Sequence, residues 1–245
     1  MTPTLTPVWQ TASAQGPRTV NADATDAYRD PGTGQAVFAL ADGVGDTPSA
    51  AHAARLAAAA AVRAPAGEGT VGALLAAQDA VAAEPTAGDC VLVVAMPSGD
   101  GYRVGWVGDA RAYAWSGDRL AQLTTDHTLA QYFRDHGATP RPHMEHMVTT
   151  SVRTAGATEF GHAEVRSAAG LLLTSDGVHK VLTMAAMAEL LRHPVNSAVA
   201  LTEAAIAAGG ADNATATFVE FTPTPPRATF QTPNSTLGSG LVPFL

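Results

Sequence analysis

Three apolar runs in this chain end on an aspartate, and a fold has to accommodate that feature first. VFALADGVG (Val37–Gly45) carries five apolar residues into an Asp-Gly pair, LLLTSDGV (Leu171–Val178) brings three leucines and Thr-Ser to another, and VGWVGDA (Val104–Ala110) follows more loosely. A fourth aspartate, Asp212 in GGADNAT, stands just before the last apolar run. Any one Asp-Gly pair reads as a hairpin turn. The combination reads differently, because a carboxylate at the end of a buried strand is costly unless it is exposed, hydrogen-bonded or bound to a cation. Several such ends gathered in one cleft repel one another at neutral pH, and a divalent ion removes that repulsion. Oxygen-only ligands favour hard ions, Mg2+ or Mn2+, over zinc. The glycines after Asp42 and Asp176 let the backbone approach closely, and the Gly43 carbonyl is a further candidate ligand.

Around these runs the pattern predicts strands at Val8–Ala12 and Ala36–Ala41, then helices at Ser49–Arg63, with Ser49 as N-cap, and Val71–Ala83. CVLVVAMP, GYRVGWVG and RAYAWSG read as an antiparallel meander with turns at Ser98–Gly101 and Ser116–Asp118. Leu120–Leu123 follows, then a helix at Thr128–His136, an irregular stretch at His143–Gly161 and a strand pair within Glu164–Ser175. Helices at Met184–Arg192 and Val195–Ala208 stop at Gly209-Gly210, and a last strand spans Ala214–Phe221. Paired helices and meandering strands point to an α+β fold in layers. The predicted division is a domain over residues 1–221 and a flexible Pro/Thr/Ser-rich tail over 222–245.

Charge and cysteine content narrow the function classes. A net charge of −8 disfavours nucleic acid and anionic membrane as partners. The single cysteine, Cys90, rules out an internal disulfide and a thiolate zinc cluster, and in its apolar strand it reads as a core residue rather than a nucleophile. The N-terminal segment has no basic and apolar signal regions, and no apolar stretch is long enough to cross a membrane, so the expected location is cytoplasmic.

Five motifs in order resemble the PPM, or type 2C, metal-dependent serine/threonine protein phosphatases. RTVNAD (Arg18–Asp23) resembles that family's Arg-x-x-Asn-Glu-Asp, and FALADGVG its Phe-x-Val-x-Asp-Gly-Met-Gly. VGDARAY followed by LTTDHT, LLLTSDGV, and GGADNAT resemble the remaining three, and together they span nearly the whole domain. The resemblance implies a four-layer α-β-β-α sandwich of two stacked antiparallel sheets flanked by helices. It implies two Mn2+ or Mg2+ ions per active site, with Asp42 bridging both, Gly43 offering its carbonyl to one, and Asp176 and Asp212 binding the other. Arg18 would hold the substrate phosphate and Asp23 would orient the attacking water. Two adjacent cations acidify a water that attacks phosphorus in line, while metals and an arginine neutralise the charge developing on the phosphoryl oxygens. Phosphoserine and phosphothreonine proteins are the implied substrates, with a cognate kinase or that kinase's substrates as partners. The alternative is a pseudophosphatase or binding module that kept the fold and lost turnover.

Two positions depart from the family pattern. Ala22 stands where the family has Glu or Gln. Lys180 stands four residues past Asp176, where members with a third metal place another aspartate, Asp109 being that site's other matching ligand. An ammonium there competes with a cation, so the third site is expected to be absent or weak and Lys180 to pair with Asp109. The segment between His127 and Thr154 corresponds to the family's flap and carries Arg141, His143, His146 and Arg153, candidates for phosphopeptide contact or for proton donation to the leaving group.

Overall fold

Successive side chains of a strand point to opposite faces, and this chain uses both faces of its central strands. The computed structural model describes residues 5–99, 101–156, 158–166, 170–193 and 195–223. Among these residues ten strands form two antiparallel sheets of five. One sheet runs β2 (Asp23–Arg29), β3 (Ala36–Gly43), β4 (Cys90–Ser98), β5 (Gly101–Val107), β8 (Gly161–Arg166). The other runs β1 (Leu5–Ala14), β10 (Ala214–Pro223), β9 (Gly170–Thr174), β6 (Arg111–Trp115), β7 (Leu120–Gln122). Phe38 and Leu40 of β3, Val91 and Val93 of β4 and Leu171 and Leu173 of β9 fill the space between the sheets. Their neighbours in sequence point outward: Ala39, Ala41, Leu92 and Val94 toward one helical layer, Leu172 toward the other.

The first helical layer is α1 (Pro48–Arg63) and α2 (Gly69–Ala82), which pack on β2 to β5. Alanines 50, 53, 54, 57, 58 and 61 of α1 are buried, and their small size lets the helix lie close against Ala39 and Ala41. Its N-cap is Thr47, whose hydroxyl accepts from the Ala50 N–H, with Pro48 at the first turn, so the cap lies two residues before the expected Ser49. The opposite layer holds α4 (Asp176–His179), α5 (Met184–Leu191) and α6 (Ser197–Ala207), with Met187, Leu191 and Leu201 packed on Tyr113, Leu172 and Phe218. A short α3 (Leu129–Asp135) and a 3-10 turn at Pro142–His146 lie in the segment read from sequence as the flap.

The four-layer α+β sandwich is therefore as expected, but three local readings are corrected. The third run of the supposed meander leaves the sheet: β4 pairs with β5, whereas β6 joins the other sheet beside β9. Gly108, at φ +87° and with a Val91 methyl where a Cβ would lie, makes the turn that crosses between sheets. The two strands within the Glu164–Ser175 region do not pair with each other either, β8 edging one sheet and β9 lying central in the other. Strand β2 and the four-residue α4 were not anticipated. β10 continues to Pro223, two residues into the segment read as tail, and the remainder of that tail lies outside the described residues. Among the described residues no helix is long and apolar enough to cross a membrane.

Because Phe38 is fully buried between the sheets, Phe38→Ala should lower unfolding free energy by about 3–5 kcal/mol, read by urea denaturation. A loss below about 1 kcal/mol would mean that this layer does not hold the sandwich together.

Candidate active site

The strand-end aspartates meet at one edge of the sandwich. β2 and β3 are in register with Asp23 opposite Asp42, so two carboxylates face each other across neighbouring strands. β9 delivers Asp176 at the start of α4, and Asp212 stands just before β10, which pairs with β9. The β5–β6 crossover brings Asp109. A cleft of about 280 Å³ is lined by Arg18, Asp42, Gly43, Asp109, Asp176 and Asp212, with Val44, Val91, His146 and Val148 among its other walls. Of the metal and phosphate residues expected from sequence, only Asp23 lies off the cleft lining, on β2 opposite Asp42 and 9% exposed.

Both Asp-Gly pairs prove to be close approaches rather than hairpin turns. A Cβ on Gly43 would meet the Ala50 and Ala22 carbonyl oxygens at 2.8 and 2.9 Å, and one on Gly177 would lie 2.0 Å from the Asn213 carbonyl oxygen. Glycine lets β3 pass beneath α1, and lets α4 seat against the start of β10.

A second set of side chains holds the loop that carries Arg18. Asn213 accepts the Ala22 N–H at 2.8 Å and donates to the Gln15 and Val20 carbonyls at 2.7 and 2.9 Å. Asp46 accepts from the N–H groups of Thr19 and Val20, and these bonds hold its carboxyl below the usual value. Neither residue was singled out from sequence, although Asn213 lies inside GGADNAT; the signal was its place beside Asp212. Ala22 is buried with Ala50 and Ala51, so the missing carboxylate is replaced by a small apolar contact.

Electrostatics at the cleft are dominated by unrelieved negative charge. Burial pushes Asp23 up to about 7, repulsion from Asp176 and Asp212 adding to it, although Ser175 donates to its carboxylate at 2.8 Å. Asp42 sits at the floor of the cleft, partly open to it and enclosed by protein otherwise. Burial and then the charges of Asp23, Asp176, Asp109 and Asp212 raise its pKa well above the ordinary value. Two cations answer part of this charge. Arg18 donates to Asp212 at 2.6 Å and to the Ala211 carbonyl, and Lys180 Nζ donates to Asp109 at 2.6 Å and to Asp176 at 2.9 Å. Among the described residues no three Asp, Glu, His or Cys side chains stand as a group that could hold a metal ion. The chemistry of the donor set nevertheless fits hard divalent ions: four carboxylates and a backbone carbonyl line the cleft, and their mutual repulsion is what such an ion relieves.

The remaining candidates separate cleanly. His146 lines the cleft, but Arg153 points away and donates to the carbonyls of Val81, Ala87 and Gly88 behind α2. Burial, then the charges of Arg111 and Lys180, keep His179 well below its usual pKa; it is a neutral core group bonded through Nδ1 to Thr174. Arg111 makes a two-pronged pair with Asp126 at 2.8 and 2.6 Å, so the match between VGDARAY and LTTDHT reflects a structural brace. Cys90 is buried, and burial raises its thiol pKa, which leaves it protonated and unreactive.

No family model and no curated protein matches the sequence. Solved structures do. The serine/threonine phosphatase PstP/Ppp of Mycobacterium tuberculosis is 26% identical, with 89% of this chain and 99% of that one covered at a TM-score of 0.76. The PPM Ser-Thr phosphatase MsPP of Mycobacterium smegmatis, in complex with cacodylate, is 26% identical, with 88% and 98% covered at a TM-score of 0.69. The catalytic domain of PstP in complex with two manganese ions is 26% identical, with 89% and 99% covered at a TM-score of 0.72.

A carboxyl whose folded pKa is raised supports the fold while protonated and loses that support as pH rises through the folded value. For Asp23 the window runs from the ordinary 3.8 to about 7. In EDTA the melting temperature should therefore fall between about pH 4 and about pH 7, and Asp23→Asn should flatten the fall. Equal slopes for the two proteins would remove Asp23 from this account.

Proposed function

We propose that this chain, which has the fold and the motif order of the PPM-type serine/threonine phosphatases, is a metal-dependent phosphoprotein phosphatase acting on phosphoserine and phosphothreonine. The observation that carries the reading is the convergence of Asp42, Asp176, Asp212 and the Gly43 carbonyl with Arg18 on one cleft, in a fold shared with named phosphatases. Asp42 would bridge two ions, Gly43 would serve one through its carbonyl, and Asp176 and Asp212 would hold the other. When bound, two Mn2+ or Mg2+ ions supply Lewis acidity and lower the pKa of a water; the PstP domain with two manganese ions supports that count.

The protein's own groups account for the rest. Arg18 now gives Nη2 to Asp212 and Nε to the Ala211 carbonyl; with Asp212 among the residues that would hold an ion, Nη2 would turn to the substrate phosphate. Asp46 and Asn213 fix the loop on which Arg18 sits, so that its reach is set before substrate arrives. Asp23, hydrogen-bonded to Ser175 and directly across from Asp42, would orient the attacking water. Val44, Val91 and Val148 give the cleft an apolar wall for the substrate side chain, and His146, which also lines it, would donate a proton to the leaving group. Phosphoproteins, with the kinase that phosphorylates them or that kinase's other substrates, are the partners this chemistry implies.

Mn2+-dependent release of phosphate from a phosphothreonine peptide should stop with EDTA and fall by at least about 10²-fold in Asp176→Asn. Arg18→Ala should lower kcat/KM by about 10- to 100-fold and weaken inhibition by inorganic phosphate without weakening Mn2+ binding. A folded protein that binds phosphopeptide and Mn2+ yet releases no phosphate would replace the catalytic reading with that of a binding module.

A further inference from the structure

The ammonium of Lys180 stands between two carboxylates that belong to different parts of the fold. Asp109 lies in the turn that carries the chain from β5 in one sheet to β6 in the other, and Asp176 begins α4 after β9. Nζ donates to Asp109 Oδ2 at 2.6 Å and to Asp176 Oδ2 at 2.9 Å, and the pairs are shielded, the side chains being 14%, 3% and 18% exposed for Lys180, Asp109 and Asp176. Asp109 and the position of Lys180 are the two places that match the third-metal ligands of the resembled family. Here one of them carries the positive charge itself.

We infer that Lys180 is a tethered cation that takes the place of a third metal ion, bracing the crossover between the sheets and leaving the cleft with one ion fewer than a chain with aspartate at this position. The inference rests on the reading of this cleft as an ion site. Charge supports it: two divalent ions together with Lys180 and Arg18 would already offset the five carboxylates of Asp23, Asp42, Asp109, Asp176 and Asp212. A further ion beside Asp109 would meet an ammonium within hydrogen-bonding distance of the same oxygen, a like-charge contact in a shielded place. Geometry supports it as well. Lys180 follows Asp176 by one helical turn, so its stem is fixed by α4 and its head is delivered to Asp109 without a separate binding step. An exchangeable ion at this corner would leave under chelation, whereas the lysine cannot.

The test is a count of bound Mn2+ on the full chain, by calorimetry and by the EPR signal of the free ion. Lys180→Asp should bind one equivalent more than the parent, and adding Asp109→Asn should abolish the extra equivalent. The parent should bind two and show no third at millimolar Mn2+. A parent that binds three, or a Lys180→Asp protein that gains none, overturns the inference. A parent count of zero with a gain of one would instead overturn the binuclear reading while leaving Lys180 in its role. Should Lys180→Asp fail to fold, Lys180→Gln, Asp109→Asn and their combination in EDTA decide the matter. Lys180→Gln should lower the melting temperature, with most of its effect lost once Asp109 is Asn. Additive effects, or a Lys180→Gln protein as stable as the parent, would overturn the brace.

Discussion

Mutual repulsion among five aspartates at the edge of the sandwich is the constraint that the rest of the structure serves. Asp42 and Asp23 face each other across β2 and β3, Asp176 and Asp212 arrive beside the neighbouring strands β9 and β10, and Asp109 comes from the crossover between sheets. The core fixes these positions: Phe38, Leu40, Leu171 and Leu173 lock the strands so that their ends cannot splay to relieve the charge. What relief exists comes from two cations, each spanning a fold-level gap. Arg18 ties the N-terminal loop to the start of β10, and Lys180 ties the crossover to α4. Asp212 and Asp176, which these cations hold, are carboxylates that the proposed chemistry assigns to an ion.

Much of this was legible in the sequence. Strands that alternate between two buried faces show long apolar runs, and β3, β4 and β9 announce themselves that way. The Asp-Gly pairs pointed to close backbone approach, as Gly43 and Gly177 demonstrate. The expected pairing of Lys180 with Asp109 also appears in the structure.

The rest depended on contacts far apart in the chain. β2, DATDAYR, is half-exposed along most of its length and has no apolar run to mark it. The break in the meander turns on Gly108, whose left-handed turn sends the chain to the other sheet, and nothing local distinguishes it from a hairpin. Arg153 was grouped with the flap by sequence, but the carbonyls of Val81, Ala87 and Gly88 at the end of α2 and beyond it lie 65 to 72 residues away and capture it. Asn213, whose three hydrogen bonds all go to the loop of residues 15–22, owes its role to that loop's path.

Anomalous diffraction from crystals grown with Mn2+ tests the account most directly. Two peaks are predicted in the cleft, on either side of Asp42, with Asp212 turned from Arg18 to the metal and Lys180 still bonded to Asp109. A cleft without metal, or a peak against Asp109 with Lys180 displaced, would contradict it.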